Sequence, residues 1–262
     1  MRALLIKLGG SLLTDKETPE TAHPERIERL AREIAAARER AEANGERIVL
    51  GHGSGSFGHV AAAAAGLGKG PLEPKNLAGA SRTQERAASL HGLVVEALRA
   101  AGLAPFSLAP SSFLLAEGGV AVDRFLGPLA HALRLGLLPV VYGDVVLDRT
   151  WGASIASTEA VLSEIASGLP ALGIEISRAL WLGETEGVYD EEGATIPHLA
   201  NLEDAAIGAA RGTDVTGGMR LRLETCLALS RRGISSTILD GRAAGRLADA
   251  IRGEDVPGTR IG

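Results

Sequence analysis

The chain has 262 residues, 45% of them hydrophobic, and a formal net charge of −5 at pH 7. This acidic balance excludes a general nucleic-acid-binding protein, which would present a basic face to phosphates. The single cysteine, Cys226, excludes an internal disulfide. The N-terminal stretch is too short and too charged for a signal peptide, and no apolar run is as long as a membrane span, so we expect a cytoplasmic globular protein with no membrane partner.

Segments typical of strands and of helices alternate along the chain. Buried strands are predicted at residues 2–8, 47–51, 104–110, 137–144, 177–187 and 234–241. Helices are predicted at residues 23–45, 81–102, 126–136, 154–168, 217–233 and 242–253, with a loop at 66–79 and a small hairpin at 187–199. The alternation predicts a mainly parallel sheet with helices on both faces. Since no linker or internal repeat interrupts it, we expect one domain over residues 1–262.

Four glycine-rich turns follow predicted strands. They read KLGGSLLTDK (7–16), GSGSFG (53–58), VVYGD (140–144) and TDVTGGMR (213–220). The carboxyl ends of parallel strands meet at one edge of a sheet, where folds of this class bind their ligands. Any one of these turns is equally typical of a tight chain connection. Together, their backbone N–H groups and the helix N-termini behind them are suited to binding several phosphate oxygens.

Lysine is rare in this chain and is concentrated near the first glycine turn. Of the 27 basic residues four are lysine, at positions 7, 16, 69 and 75, and the first two flank that turn. Phosphoryl transfer requires hydrogen-bond donors and cations aimed at the moving phosphoryl group rather than covalent chemistry by the protein. We therefore interpret Lys7 and Lys16 as catalytic cations.

Two other nucleotide-binding signatures fit the sequence less well. GSGSFG has the spacing of a dinucleotide-binding fingerprint, but it follows the second strand, and Glu73 lies in a loop where an acidic residue at a strand end is needed. The segment GLGKGP (66–71) is not a phosphate-binding P-loop, because Gly70 and not Ser or Thr follows Lys69. A dehydrogenase is therefore disfavoured.

The order of five motifs resembles that of the amino acid kinase family. These are KLGGS…TDK, GHGSGSFGH, PVVYGDVVLD, EGVYD and DVTGGM, and GSFGH together with LTDK is most similar to the isopentenyl phosphate kinases. The resemblance extends from Lys7 to the C-terminal GTRIG. It implies an α/β fold, a three-layer αβα sandwich around a mainly parallel sheet of about eight strands, and a homodimer. ATP with Mg²⁺ would lie over the C-terminal part and the phosphoryl acceptor over the N-terminal part.

The resemblance also implies a role for individual residues. Lys7, Lys16 and His59 would be catalytic, and His59 would also hold the phosphate of the acceptor beside Ser54 and Gly143. No side chain is assigned as a metal ligand. The residues expected to contact ATP or the transferring phosphate are Lys7, Gly9, Gly10, Ser11, Gly55, Glu184, Gly217, Gly218 and Arg220. His52, next to a strand end, is interpreted as structural.

Three positions depart from the pattern of that family. Arg220 stands where a lysine usually follows GGM, Glu184 replaces an aspartate expected to orient the catalytic cations, and STEA (157–160) replaces SGDD. Arginine and lysine bind phosphate differently, so the first change bears on nucleotide binding. Because both N-terminal lysines are retained, we expect an active enzyme.

The activity that the resemblance implies is ATP-dependent phosphorylation of isopentenyl phosphate to the diphosphate in isoprenoid (alternative mevalonate) biosynthesis. A fosfomycin-type phosphonate kinase is the close alternative, and other acceptors of the family, such as amino acids, suit His59 less well. A nucleotide-binding regulatory protein without turnover is the alternative from another class. An apolar face on the helix at 81–102, formed by Ala88, Leu90, Leu93 and Val94, is either the wall of a prenyl pocket or ordinary helix packing.

Overall fold

A computed structural model describes residues 1–68, 70–201 and 217–262. Its strands are β1 (Arg2–Leu8), β2 (Glu46–His52), β3 (Pro105–Ser107), β4 (Leu114–Glu117), β5 (Val120–Arg124), β6 (Leu138–Tyr142), β7 (Asp144–Asp148), β8 (Gly152–Ala156), β9 (Glu175–Gly183), β10 (His198–Leu199), β11 (Ser235–Asp240) and β12 (Thr259–Ile261). Its helices are α1 (Gly10–Leu13), α2 (Pro24–Ala43), α3 (Gly55–Ala64), α4 (Leu77–Ala100), α5 (Gly127–Arg134), α6 (Thr158–Gly168), α7 (Gly217–Ser230) and α8 (Arg246–Arg252). Residue 69 and the first part of the predicted TDVTGGMR turn, residues 213–216, lie outside the described residues.

The main sheet has eight strands in the order β10-β12-β11-β9-β1-β2-β6-β3. All neighbouring pairs are parallel except β11 and β12. The central strand β1 is buried from Ala3 onward, and its neighbours β2 and β9 are also largely buried. Strands enclosed on both faces form nearly continuous apolar runs, which is what the sequence shows here. The prediction of a mainly parallel sheet of about eight strands is confirmed.

Helices cover both faces of this sheet. Successive side chains of β1 point to opposite faces: Leu5 joins a core formed with α5, α6 and α7, and Leu4 and Ile6 join a core formed with α1, α2, α4 and α8. Trp181 on β9 is fully buried in the first of these cores. The result is the three-layer αβα arrangement that the sequence predicted. No helix within the described ranges has both the length and the apolar character needed to cross a membrane.

A second sheet, with the order β5-β4-β7-β8, was not predicted. Residues 154–156, predicted as the start of a helix, instead belong to β8, which pairs antiparallel with β7. The helix begins only at Thr158, where the hydroxyl of Ser157 accepts a hydrogen bond from the N–H of Ala160 at 3.1 Å. A serine at this position is a strong helix start. The predicted helix was therefore four residues too long at its N-terminus.

The turns that follow β1 and β2 touch through their backbones. A Cβ atom placed on Gly10 would lie 2.6 Å from the nitrogen of Gly55, and one placed on Gly53 would lie 2.6 Å from the nitrogen of Gly10. Thr14 joins the two turns, because its hydroxyl donates to the carbonyl of Gly10 and accepts from the N–H of Ser56, each at 3.0 Å. Glycine is required at this contact because any side chain would separate the turns.

We predict that Gly10→Ala lowers the free energy of unfolding by about 1–3 kcal/mol, the usual penalty for forcing extra atoms into a packed site. Gly92→Ala is the matched control, because a Cβ at this exposed position in the middle of α4 meets nothing within 4 Å. Replacing glycine by alanine within a helix adds roughly 0.5–1 kcal/mol of stability. Urea unfolding of both variants measures these opposite effects, and equal stabilities would contradict the proposed backbone contact.

Candidate functional site

An open cavity of about 640 Å³ lies above the carboxyl ends of β1, β2 and β6. Its wall includes the turns after all three strands and the first residues of α3 and α6. The residues with roles expected from the sequence that line it are Lys7, Gly9, Gly10, Ser11, Lys16, Ser54, Gly55, His59, Gly143 and Gly218. The fold thus brings together most of the residues that were assigned to phosphate binding, from positions far apart in the chain.

Lys7 enters the cavity from the end of β1 and forms a buried ion pair. Its Nζ lies 2.8 Å from Oε1 of Glu159, in the first turn of α6, and only 5% of Lys7 is exposed. Burial lowers the pKa of Lys7, and the carboxylate opposes part of that shift. Burial would raise the pKa of Glu159, but Lys7 and then Arg222 outweigh it and hold that pKa below its ordinary value of 4.5. Glu159 is the third residue of STEA, where the family pattern SGDD has an aspartate, so an acid that pairs with Lys7 is retained at this position.

Arg222 is a member of the site that the sequence analysis missed. Its Nε lies 3.8 Å from Oε1 of Glu159 and has no hydrogen-bond partner in the described part of the chain, although it is buried. The residue that was expected there, Arg220, is instead exposed and pairs with Glu224 at 2.9 Å. The structure therefore does not bring Arg220 to the cavity. Helical spacing could have identified Arg222 from the sequence. Residue 222 lies on the same face of α7 as the buried Cys226, one turn away, whereas residue 220 does not.

Lys16 also lines the cavity and interacts with Glu184. The distance from its Nζ to Oε2 is 3.1 Å, and the other carboxylate oxygen of Glu184 lies 3.4 Å from Arg26. Glu184 follows the end of β9 and does not line the described cavity wall. It was expected to contact the nucleotide directly; in this structure it contacts Lys16. Gly217, also expected at the nucleotide, is the first residue of α7, directly before the cavity-lining Gly218.

His59 and Ser54 lie at the start of α3, which begins directly after the second glycine turn. Gly55 has a φ of +52°, a conformation that residues with side chains rarely adopt, so the sharp entry into this helix depends on glycine. The N-terminus of a helix presents backbone N–H groups and the positive end of its dipole, a combination that binds anions. His59 is one helical turn beyond Gly55 and is exposed to the cavity.

The other end of the cavity is apolar. Leu90 and Val94 are buried in the core that α2 and α4 share, so for these two residues the structure favours ordinary helix packing, the second of the two interpretations left open above. The face of α4 that reaches the cavity contains Thr83 and Ala87, one turn apart. The apolar wall is completed by α3 and by the β7–β8 pair, with the side chains of Val60, Ala62, Val145 and Ile155.

Two acidic residues are present in the described cavity wall, Asp144 and Glu159. Within the described ranges, no three histidine, cysteine or acidic side chains come together as a metal cage. Asp144 accepts hydrogen bonds from the N–H groups of Ser111 and Val145, and burial raises its pKa. Mg²⁺ commonly binds through substrate phosphates with few protein ligands, and a cavity with this composition is compatible with that mode.

Comparison with known proteins identifies relatives along nearly the whole chain. The model of the amino acid kinase family matches residues 2–240. An isopentenyl phosphate kinase from Methanothermobacter thermautotrophicus is 31% identical over 98% of both chains, and one from Haloferax volcanii is 32% identical over 87% of this chain and 89% of its own. A solved isopentenyl phosphate kinase is similar with a TM-score of 0.82 and 28% identity, over 99% of this chain and all of its own.

We predict that Glu159→Gln lowers the free energy of unfolding by about 3–5 kcal/mol, because it leaves two buried cations without their acid. Glu224→Gln is the matched control, since it breaks the exposed pair with Arg220, and a change of no more than about 1 kcal/mol is expected. Urea unfolding at neutral pH compares the two variants. Equal losses would contradict the role of Glu159 as the acid of a buried cluster.

The same substitution changes the dependence of stability on pH. Because the pKa of Glu159 is lower in the folded protein than its ordinary value of 4.5, the unfolded chain takes up the proton first. The stability that Glu159 contributes is therefore complete above pH 4.5 and is lost as the pH falls toward the folded pKa. The difference in stability between the wild type and Glu159→Gln should shrink below pH 4.5, as measured by urea unfolding across that range.

Proposed function

Because the chain belongs to the amino acid kinase family, we propose that it transfers the γ-phosphoryl group of ATP to isopentenyl phosphate. The main support for this proposal is the set of residues that line one cavity. Its central wall contains glycine turns and cations suited to two phosphates, and its far end is apolar, which suits a short prenyl chain. The isopentenyl phosphate kinases that are similar over nearly the whole chain support the same acceptor.

The proposed reaction needs positioning and charge rather than a covalent intermediate. An oxygen of the acceptor's phosphate attacks the γ-phosphorus of ATP, the bond to the bridging β,γ-oxygen breaks, and ADP leaves. Lys7, held by Glu159, and Lys16, held by Glu184, lie at the cavity and supply positive charge to the moving phosphoryl group. Charges fixed before the reaction stabilise a transition state without reorganising as it forms. Of the two, we assign Lys16 the main part in stabilising the transition state, because its side chain is the more exposed to the cavity.

We propose that ATP and its Mg²⁺ bind on the side of the cavity formed by α7. Arg222 and Gly218 lie at this end of the cavity, and the buried Nε of Arg222 is a donor suited to a phosphate oxygen. We propose that Mg²⁺ arrives with the phosphates of ATP, as the chemistry of the cavity wall allows, and that it neutralises part of their charge. We propose that the enzyme acts in the cytoplasm, as expected from its sequence composition, and as a homodimer, as its family resemblance implies.

A phosphonate kinase of the fosfomycin type is the less favoured alternative. Its small acceptor would use His59 and the glycine turns but would leave the apolar end of the cavity, beside Ala87 and Ile155, unfilled. The regulatory alternative would depend on a loss of turnover through the changes at Glu184 and in the STEA segment. It is also disfavoured, since Glu159 of that segment pairs with Lys7 and Glu184 pairs with Lys16.

The direct test is the release of ADP by the purified protein with ATP, Mg²⁺ and either acceptor. We expect turnover with isopentenyl phosphate and a much lower kcat/KM with fosfomycin, because the apolar wall contributes binding free energy only to the prenyl chain. The reverse preference would favour the phosphonate kinase. Binding of ATP without turnover of any acceptor would favour the regulatory protein.

We predict that His59→Ala raises KM for isopentenyl phosphate and lowers kcat/KM by about 10–100-fold, because a hydrogen bond to a charged group contributes roughly 1.5–3 kcal/mol. His59→Gln should retain part of the activity through its neutral donor. KM for ATP should change little, and His131→Ala, an exposed histidine on α5, is the control. If the alanine variant instead loses affinity for ATP, or keeps normal kinetics with the acceptor, His59 does not hold the acceptor's phosphate.

A further inference from the structure

A chain of three hydrogen-bonded side chains connects the second glycine turn with an outer strand. His52 is the last residue of β2, and its Nδ1 lies 3.1 Å from the carbonyl oxygen of Gly53. Its Nε2 lies 3.0 Å from Nδ1 of His91 on α4. The Nε2 of His91 lies 2.9 Å from the hydroxyl of Ser107 on β3. Both imidazoles are buried, and Tyr142 packs against both rings.

The contacts allow one arrangement of protons when both imidazoles are neutral. The Gly53 carbonyl can only accept, so Nδ1 of His52 carries the hydrogen and its Nε2 accepts. His91 must then donate from Nδ1 and accept at Nε2, which leaves the Ser107 hydroxyl as the donor. Burial, followed by the charge of its neighbour His91, lowers the pKa of His52 to about 3, and burial lowers that of His91 to about 4. Both rings are therefore neutral at physiological pH.

This chain fixes a backbone group at the phosphate site. The carbonyl of Gly53 and the N–H of Ser54 belong to the same planar trans peptide, so they point in opposite directions and rotate together. The preceding carbonyl, of His52, is also held, by the N–H of Gly143 at 3.0 Å and the hydroxyl of Thr158 at 2.8 Å. Glycine at position 53 would otherwise let this peptide turn over easily.

We propose that the chain from Ser107 through His91 and His52 is a positioning device that holds the Gly53–Ser54 peptide with its N–H toward the bound phosphates. The proposal rests on the proposed phosphoryl transfer, in which the Ser54 N–H lies between the acceptor and ATP. His52 and His91 are positioning residues, since they act through the backbone and touch neither substrate. A peptide held in advance contributes to the transition state without an ordering cost.

Two substitutions of His52 separate its two hydrogen bonds. His52→Asn keeps a donor at the place of Nδ1, whereas His52→Gln keeps a polar group near Nε2 and loses the donor to Gly53. We expect His52→Gln to lower kcat by about 10-fold or more with a smaller change in either KM, as for a misplaced oxyanion donor. His52→Asn should retain kcat within about threefold of the wild type, if an amide donor restores the orientation. His131→Gln is the control, because His131 on α5 takes no part in the hydrogen bonds from Ser107 to Gly53.

Thermal melting of each variant shows whether it is folded, and both variants are expected to lose some stability because each leaves part of the buried chain unpaired. If the two variants lose kcat equally, or if kcat follows melting temperature across them, His52 is a packing residue and the proposal is wrong. The split between Asn and Gln is the result that a purely structural role would not produce.

A spectroscopic measurement tests the hydrogen-bond chain in the wild type without any substrate, with one variant used only to assign the signals. In long-range ¹H–¹⁵N spectra of the histidine-labelled protein at neutral pH, two of the six histidines should be neutral and carry the hydrogen on Nδ1. Assignment uses His91→Gln, which removes one of the two signals. A hydrogen on Nε2 of His52 would overturn the proposal even in an active kinase. Correct tautomers in a protein that does not turn over isopentenyl phosphate would count against the proposed function instead.

Discussion

The direct contact between two backbone turns is the constraint on which the site depends. β1 and β2 are parallel neighbours whose final residues, Leu8 and His52, lie side by side, so the turns that follow start at the same height above the sheet. Gly10 and Gly53 then meet without a side chain between them. Their closeness brings the N–H groups of both turns and the N-terminus of α3 together on one wall of the cavity, an arrangement suited to binding phosphates. Any residue with a Cβ at this contact would push these donors apart.

Positive charge at the cavity is held in place by acids from other elements. Glu159 lies in the first turn of α6, where a carboxylate also interacts favourably with the helix dipole, and it faces Lys7 from β1 and Arg222 from α7. Buried charges persist in a fold only when they are paired, and pairing restricts them to one position. The cluster therefore couples the packing of three elements to the electrostatics of the site. The exposed pair of Arg220 and Glu224 imposes no comparable restraint.

The sequence alone determined the main sheet, the two helical layers and the glycine-rich part of the cavity wall. Strands buried on both faces appear as continuous apolar runs, and glycine turns at their ends mark the edge where ligands bind, so both features depend on local pattern. Lys7 and Lys16 were identifiable because the chain has few other lysines. The small sheet was not predicted. Its strands are short, and β8 (Gly152–Ala156) runs almost directly into a helix, so its segment has the composition of that helix.

Only the tertiary structure decided which polar side chains enter the cavity and what holds them. The rotation of α7 about its axis places Arg222 inside and Arg220 outside, and packing against the sheet sets that rotation. The pairing of Glu159 with Lys7 joins residues about 150 positions apart, a separation over which no sequence period carries information. The hydrogen bond between His52 and His91 likewise depends on where α4 crosses the sheet edge. Sequence patterns report which face of an element is buried, whereas the partner across a buried contact is fixed only when the elements pack together.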